Sequence, residues 1–166
     1  MNTGEQRDGR YATPKTFNRE ELPLEIKQET GLKLQNALQD TLDYWYVCTS
    51  AKDVPNFLRY SVCEQITNVL AEASALMSRS VERYNYNRYM SRPENKNAPK
   101  VVYKAYDIVQ DSRRAEDMFT KALYMIKTLQ KRPSFKSRMS EISRLGGITK
   151  SLMRGWLIYI TAHGGR

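Results

Sequence analysis

The sequence predicts an all-α chain: an antiparallel up-down-up-down four-helix bundle behind a flexible N-terminal arm. Three observations carry this. Val101, Ala105, Ile108, Ser112, Ala115, Phe119, Ala122, Ile126 and Leu129 fall at steps of 4, 3, 4, 3, 4, 3, 4 and 3. Such spacing keeps one stripe on one side of a helix for about eight turns. Phe135, Met139, Ile142, Gly146, Thr149, Met153, Trp156 and Ile160 repeat the alternation later in the chain. No stretch shows the period of two that marks a strand, and the connections are mostly short turns, which favour antiparallel neighbours.

Residues 1–31 are polar and aperiodic, with Gly4, Gly9 and Pro14, and read as a flexible arm. Pro23 suits a first helical turn and Glu25 and Glu29 suit a helix N-terminus, so the arm has room for a short helix that Gly31 breaks. The bundle spans 32–161. Helix one is expected from Leu32 to Thr49, with Leu34, Leu38, Thr41, Trp45 and Cys48 on one face and Leu42 beside them. Asp53-Val54-Pro55-Asn56 forms a turn with Asn56 as cap. Helix two follows from Phe57 to Tyr86 on a stripe of Leu58, Val62, Ile66, Val69, Ala73, Leu76 and Ser80 or Val81. The Asn-rich segment from Asn85 to Pro99, with Pro93 inside it, reads as a loop.

Helix three is expected from Lys100 to Leu129, stopped before Pro133, and Ser134 caps helix four, Phe135 to Thr161. Leu145 and Leu152 widen the last stripe, and 162–166 is a frayed tail. Gly146, Gly147 and Gly155 lie inside helix four, where each costs about 1 kcal/mol relative to Ala. Close approach of a helix or a subunit is the expected return, with a kink as the alternative.

Composition narrows function. At 166 residues the chain is most simply one domain, able to bury about two-thirds of its unfolded surface. A mean hydropathy of -0.67 with 27% charged residues predicts a soluble protein. No apolar run approaches the ~20 residues of a membrane span, and the first residues lack the apolar core of a secretory signal. A cytoplasmic location is the expectation. Cys48 and Cys63 are then reduced, buried thiols. With a single histidine, His163 in the tail, they offer too few ligands for a metal site.

The net charge of +9 is unevenly placed. Residues 1–50 hold 6 Lys/Arg and 8 Asp/Glu, residues 51–166 hold 21 and 10, and from 121 onward ten basic residues face one acid, Glu141. A strongly basic half points to nucleic acid or another polyanion. No catalytic constellation, P-loop or nucleophile elbow is present, so no enzyme, cofactor or catalytic residue is assigned. Asp107 and Asp111 share a helical face, but the Glu-x-x-His partners of a di-iron bundle are absent, and Asp111 is expected to pair with Arg114.

Two basic clusters stand out. Arg79, Arg83, Arg88 and Arg92 interleave with Tyr84, Tyr86 and Tyr89 at the end of helix two. Cations for phosphates and flat rings for unpaired bases are what nucleic acid requires. The alternative is that Tyr84 completes the core stripe while the others coat the loop. The second cluster, Lys127, Lys131, Arg132, Lys136, Arg138 and Arg144, surrounds the helix three–four turn, and Lys150 and Arg154 extend it along helix four. The macrodipole explains part of this without a ligand, because cations gather at helix C-termini. In an up-down bundle the two clusters occupy opposite ends.

The run Asp53-Val54-Pro55-Asn56-Phe57-Leu58-Arg59-Tyr60-Ser61-Val62 resembles the start of helix two in a known four-helix-bundle family. That family contains the ribosomal-RNA intervening-sequence protein and the accessory variability determinants (Avd) of diversity-generating retroelements. The segment from Met139, closing on Leu152-Met153-Arg154-Gly155-Trp156-Leu157, is similar to the Avd close of helix four, where Leu-Gly-Gly-Trp or Leu-Gly-Ser-Trp is usual. The chain departs at Asn56, where Lys is usual, and at Arg154, where Gly is common. The resemblance covers about residues 32–161.

It implies a non-catalytic accessory subunit, a homo-pentamer of four-helix protomers. Such a subunit associates with a reverse transcriptase and binds template RNA and cDNA to support adenine-targeted mutagenic cDNA synthesis and retrohoming. On this reading Arg79, Arg83, Arg88, Arg92, Lys127, Lys131, Arg132, Lys136, Arg138 and Lys150 meet nucleic acid or polymerase. Arg59, Gly155 and Trp156 serve packing or the oligomer interface. The alternative is a ribosome- or RNA-associated structural protein with no polymerase partner.

Overall fold

The computed structural model of the chain describes residues 31–97 and 102–163, and every regular element among them is helical. Four long helices carry the molecule: α1 (Leu32–Thr49), α3 (Val62–Met90), α4 (Ala105–Lys127) and α6 (Met139–Ala162). Two single-turn helices, α2 (Asn56–Arg59) and α5 (Pro133–Lys136), sit in the connections. The most extensive packing is α3 against α4; α1 rests on α3 and α6, and α4 on α6. The arm up to residue 30, Val101 of the long stripe, and the glycines of the tail lie outside the described residues.

The stripes face one shared core. Ile108, Ala115, Phe119, Ala122 and Ile126 of α4 are buried with Trp45 of α1, Ile66 and Met77 of α3, and Met153 and Ile160 of α6. Leu70 and Met77 widen the α3 stripe beyond its expected residues, while Val62 and Val69 are half-buried at its flank. Polar pins cross this core. The Thr41 and Thr149 hydroxyls meet at 3.0 Å between α1 and α6, and the Trp45 indole donates to Thr67 Oγ1 at 2.9 Å. Trp156 donates to Ser80 Oγ at 3.1 Å while Ser80 donates to the Ile108 carbonyl at 2.9 Å, joining three helices at one point. Buried polar groups left unpaired are costly, so these bonds select one register among the many that apolar stripes tolerate.

Helix one matches its expected limits; the others differ for local reasons. Helix two is broken at Tyr60–Ser61, where Ser61 adopts φ -131 and ψ -96. The Arg59 guanidinium caps the end of α1, donating to the Thr49 carbonyl at 3.1 Å and the Ala51 carbonyl at 2.8 Å. Asn56 is not the cap; Pro55 holds that position, and Asn56 Oδ1 accepts from Arg59 at 3.2 Å.

At its far end α3 continues to Met90, so Asn85 and Asn87 are helical rather than loop. Asn87 explains the extension. Its side-chain amide donates to the Tyr103 carbonyl at 2.8 Å, and its Oδ1 accepts from the Tyr103 N–H at 3.0 Å. That pairing holds the returning chain extended, and α4 begins at Ala105 instead of Lys100. α4 ends at Lys127, leaving Leu129 buried in the turn beyond it. Helix four is likewise split after Lys136. Ser134 is a buried residue inside α5 rather than a cap, and its carbonyl accepts from Arg138.

Candidate nucleic-acid interface

Basic side chains gather at the two ends of the molecule, and the ends differ. At the first end, α3 meets the start of α4. Asp111, expected to pair with Arg114, instead faces α3 and is 4% exposed. Arg79 forks its carboxylate at 2.8 and 2.7 Å, and Arg83 stands 3.7 Å away. The Asp111 hydrogen bond raises the Arg79 pKa, whereas burial, reinforced by the Arg79 charge, lowers that of Arg83. Arg83 also lies 4.8 Å from the Tyr103 ring. Both arginines are thereby engaged in holding α3 to α4.

The tyrosines of that end are equally occupied. Tyr84 is buried edge-on to Trp156 at 5.3 Å and to Tyr159 at 5.7 Å, and Tyr86 packs edge-on to Tyr103 at 5.4 Å. Buried rings offer no face to a base, so the core-completing alternative describes Tyr84. Arg88 reaches the Tyr159 hydroxyl at 3.4 Å, and Arg92 reaches Glu94 at 3.8 Å and the Tyr89 ring at 5.9 Å. His163 is exposed, with its ring stacked on Tyr159 at 4.4 Å.

The second end is built from the α1–α3 and α4–α6 connections. They touch where Arg138 comes within 3.7 Å of Asp53, where Arg132 lies 5.7 Å from the Phe57 ring, and beneath them where Trp45 stacks on Phe135 at 5.8 Å. Lys127, Lys131, Arg132 and Lys136 are exposed here, and Arg138 is half-buried. Lys127 belongs to the last turn of α4, where the macrodipole favours a cation. Lys131 and Arg132 lie beyond the helix end and Lys136 in a single turn, so that explanation does not reach them. Phe57, against Arg132, stands 62% exposed, and Tyr60, three residues on, stands 70% exposed. Their apolar rings in water are unaccounted for by the core.

Sequence reasoning did not assign Phe57 and Tyr60 to the site. A signal existed: both fall off the Leu58–Val62–Ile66 stripe, so a helix that buries that stripe exposes them. Tyr124, 68% exposed on α4, is off-stripe in the same way.

Along α6 the remaining positions separate. Arg144 forks Glu141 at 2.9 and 2.7 Å, Arg154 reaches Glu116 at 2.9 Å, and Lys150 is half-buried. Trp156 is core. A Cβ on Gly155 or Gly147 meets nothing within 4 Å, whereas one on Gly146 comes within 2.9 Å of Leu123. Close helix approach therefore applies to Gly146, and within one chain Gly155 and Gly147 face open space.

Cys48 and Cys63 are free and buried, and burial pushes both thiols up from their ordinary pKa. Among the described residues no three metal-ligating side chains cluster, and no helix is long and apolar enough to cross a membrane. Comparison of the chain with protein-family models, with curated proteins and with solved structures finds no match.

Proposed function

We propose that this chain is a non-catalytic, nucleic-acid-binding accessory subunit that holds template RNA and cDNA for the reverse transcriptase of a diversity-generating retroelement. The observation that carries the nucleic-acid part is the second end of the molecule. Lys131, Arg132 and Lys136 lie there beyond any long helix, with Arg132 5.7 Å from the ring of exposed Phe57 and exposed Tyr60 three residues further along the same connection. Cations attract phosphates and exposed rings stack unpaired bases, so the combination suits structured RNA with single-stranded segments.

The polymerase partner rests on the resemblance of residues 53–62 and 139–157 to the accessory variability determinants. An antiparallel up-down-up-down bundle agrees with it. The pairs Trp45–Thr67 and Arg79–Asp111 each join the later part of one helix to the early part of the next, as antiparallel neighbours would. Pentamer formation would use the outward face of α6 around Gly155, near exposed Ile158. Arg88, Arg92, Arg138 and Lys150 remain nucleic-acid or polymerase residues in this proposal. Arg79 and Arg83, engaged with Asp111, contribute through the fold.

Co-purification with a candidate diversity-generating reverse transcriptase, with and without nuclease, tests the proposal. A complex that forms and dissolves on nuclease treatment makes RNA the bridge, and one that survives makes the association protein–protein. RNA binding with no polymerase capture under either condition overturns the polymerase part and leaves the RNA-associated structural protein.

A further inference from the structure

Between the C-terminal half of α4 and the N-terminal half of α6 runs an open groove of about 500 Å³. Pockets of this size accommodate ligands as large as a nucleotide. Buried Ile126 and Ile142 contribute an apolar floor, and exposed Tyr124 forms part of one wall. Lys127 comes from α4 and Lys150 from α6, and no carboxylate lines the groove. Gly147 borders it, and a Cβ there would meet nothing within 4 Å. A glycine inside a helix weakens it, and here the missing side chain keeps the groove open.

We propose that this groove is a nucleotide subsite, which takes one unpaired base of a single-stranded nucleic acid against Tyr124 and the apolar floor, with the flanking phosphates on Lys127 and Lys150. The assignment rests on the nucleic-acid reading above and specifies it. Three features select this occupant. Two lysines lining the groove with no carboxylate among the lining residues call for an anion. The apolar floor and exposed ring call for a flat, weakly polar body next to that charge. Lys127 leads directly into Lys131 and Arg132 of the turn, so a strand lying across the basic end continues into the groove. A duplex keeps its bases stacked inside and has no flat face to insert.

The test uses the full chain with a fluorescein-labelled 12-nucleotide oligo(U) and a 12-base-pair RNA duplex, read by fluorescence anisotropy at fixed salt. Gly147→Leu fills the groove and Tyr124→Ala removes its wall, and neither position is in the core. Each is expected to weaken oligo(U) binding about fivefold or more, the size expected when one stacking partner is removed, with duplex binding changed less than twofold. Crosslinking of a 4-thiouridine oligomer to peptides of α4 and α6 provides a readout that needs no variant.

Unchanged oligo(U) affinity in both variants, or crosslinks confined to other helices, overturns the subsite while leaving the nucleic-acid reading intact. Equal losses for single strand and duplex also overturn it, because they mark a general charged surface. So does loss of binding to phosphatidylglycerol vesicles with oligo(U) binding untouched, which assigns the groove to a lipid. A wild-type chain that binds neither RNA removes the nucleic-acid reading and the subsite together.

Discussion

Asp111 is the residue on which the α3–α4 packing turns. Its carboxylate is almost fully buried, forked by Arg79 and approached by Arg83, whose side chain is 14% exposed. Removing one partner of a fully buried pair costs about 3–5 kcal/mol, because the other charge is stranded. Arg79 is 43% exposed and regains water, so Asp111→Ala is expected to cost less, about 2–3 kcal/mol. For a chain of this length that is a fall in melting temperature of roughly 4–12 °C. Arg114→Ala, altering the exposed residue first expected as the partner, should leave the midpoint within about 1 °C, since exposed pairs contribute little. Thermal unfolding of both variants checks the pairing, and equal effects would contradict it. Asp111 shows where residue-level reading stops. Its helix and face followed from periodicity, but the choice between Arg114 on its own helix and Arg79 across the interface depends on how two helices register.

The elements were legible where a stripe was uninterrupted. α1 begins and ends at its expected residues, and the long stripe from Ile108 to Ile126 is buried throughout. Breaks were not legible where a side chain reaches across a turn. Arg59 capping α1, Asn87 pairing with Tyr103 and Arg138 reaching the Ser134 carbonyl each reset a boundary through a hydrogen bond that periodicity does not encode. Glycines make the same point in energetic terms. Gly147→Ala and Gly155→Ala meet no neighbour and recover helix propensity, so each is expected to stabilise by about 1 kcal/mol. Gly146→Ala gains less because Leu123 has to move aside. Gly31 opens α1 at φ +99, where an added Cβ would collide with Val81 Cγ1, so Gly31→Ala is expected to destabilise by about 1–2 kcal/mol from backbone conformation alone. Urea unfolding of the four variants checks the order. Gly155→Ala carries a second outcome: an oligomer that dissociates would place this glycine at a subunit interface. Glu141, in the first turn of α6, offers a pH test. The Arg144 hydrogen bond lowers its pKa, so the pair stabilises the fold above the ordinary glutamate value, and this contribution fades as pH falls through the lowered one. Glu141→Gln should therefore melt slightly below wild type at pH 7, by a margin that shrinks as the pH is lowered through the acidic range. A difference that does not shrink on acidification would assign the loss to packing.

At the scale of the whole molecule, charge and fold separate two kinds of basic residue that the sequence presents alike. The interleaved arginines and tyrosines ending α3 look like the better nucleic-acid signal in the sequence, yet Tyr84 and Tyr86 are buried and Arg79 and Arg83 hold Asp111. The plainer cluster after α4 keeps its cations in solvent and gains Phe57 only when two distant connections meet. Periodicity finds faces; it does not say which connections share an end. The distinction predicts an asymmetric response to charge reversal. Every phosphate that a variant no longer neutralises lowers the slope of log affinity against log salt by about 0.7 for a single strand. Lys131→Glu, Arg132→Glu and Lys136→Glu together should therefore flatten that slope by about 2 and weaken RNA binding at least tenfold near 0.1 M salt. Arg88→Glu with Arg92→Glu, at the opposite end, should change the slope by less than one. Both variants alter exposed or half-buried side chains, so their melting temperatures are expected to stay near wild type, which separates a weakened interface from an unfolded chain. A triple variant that binds RNA with an unchanged slope would move the interface away from the α4–α6 connection, and a larger effect from the Arg88 and Arg92 pair would move it to the end of α3.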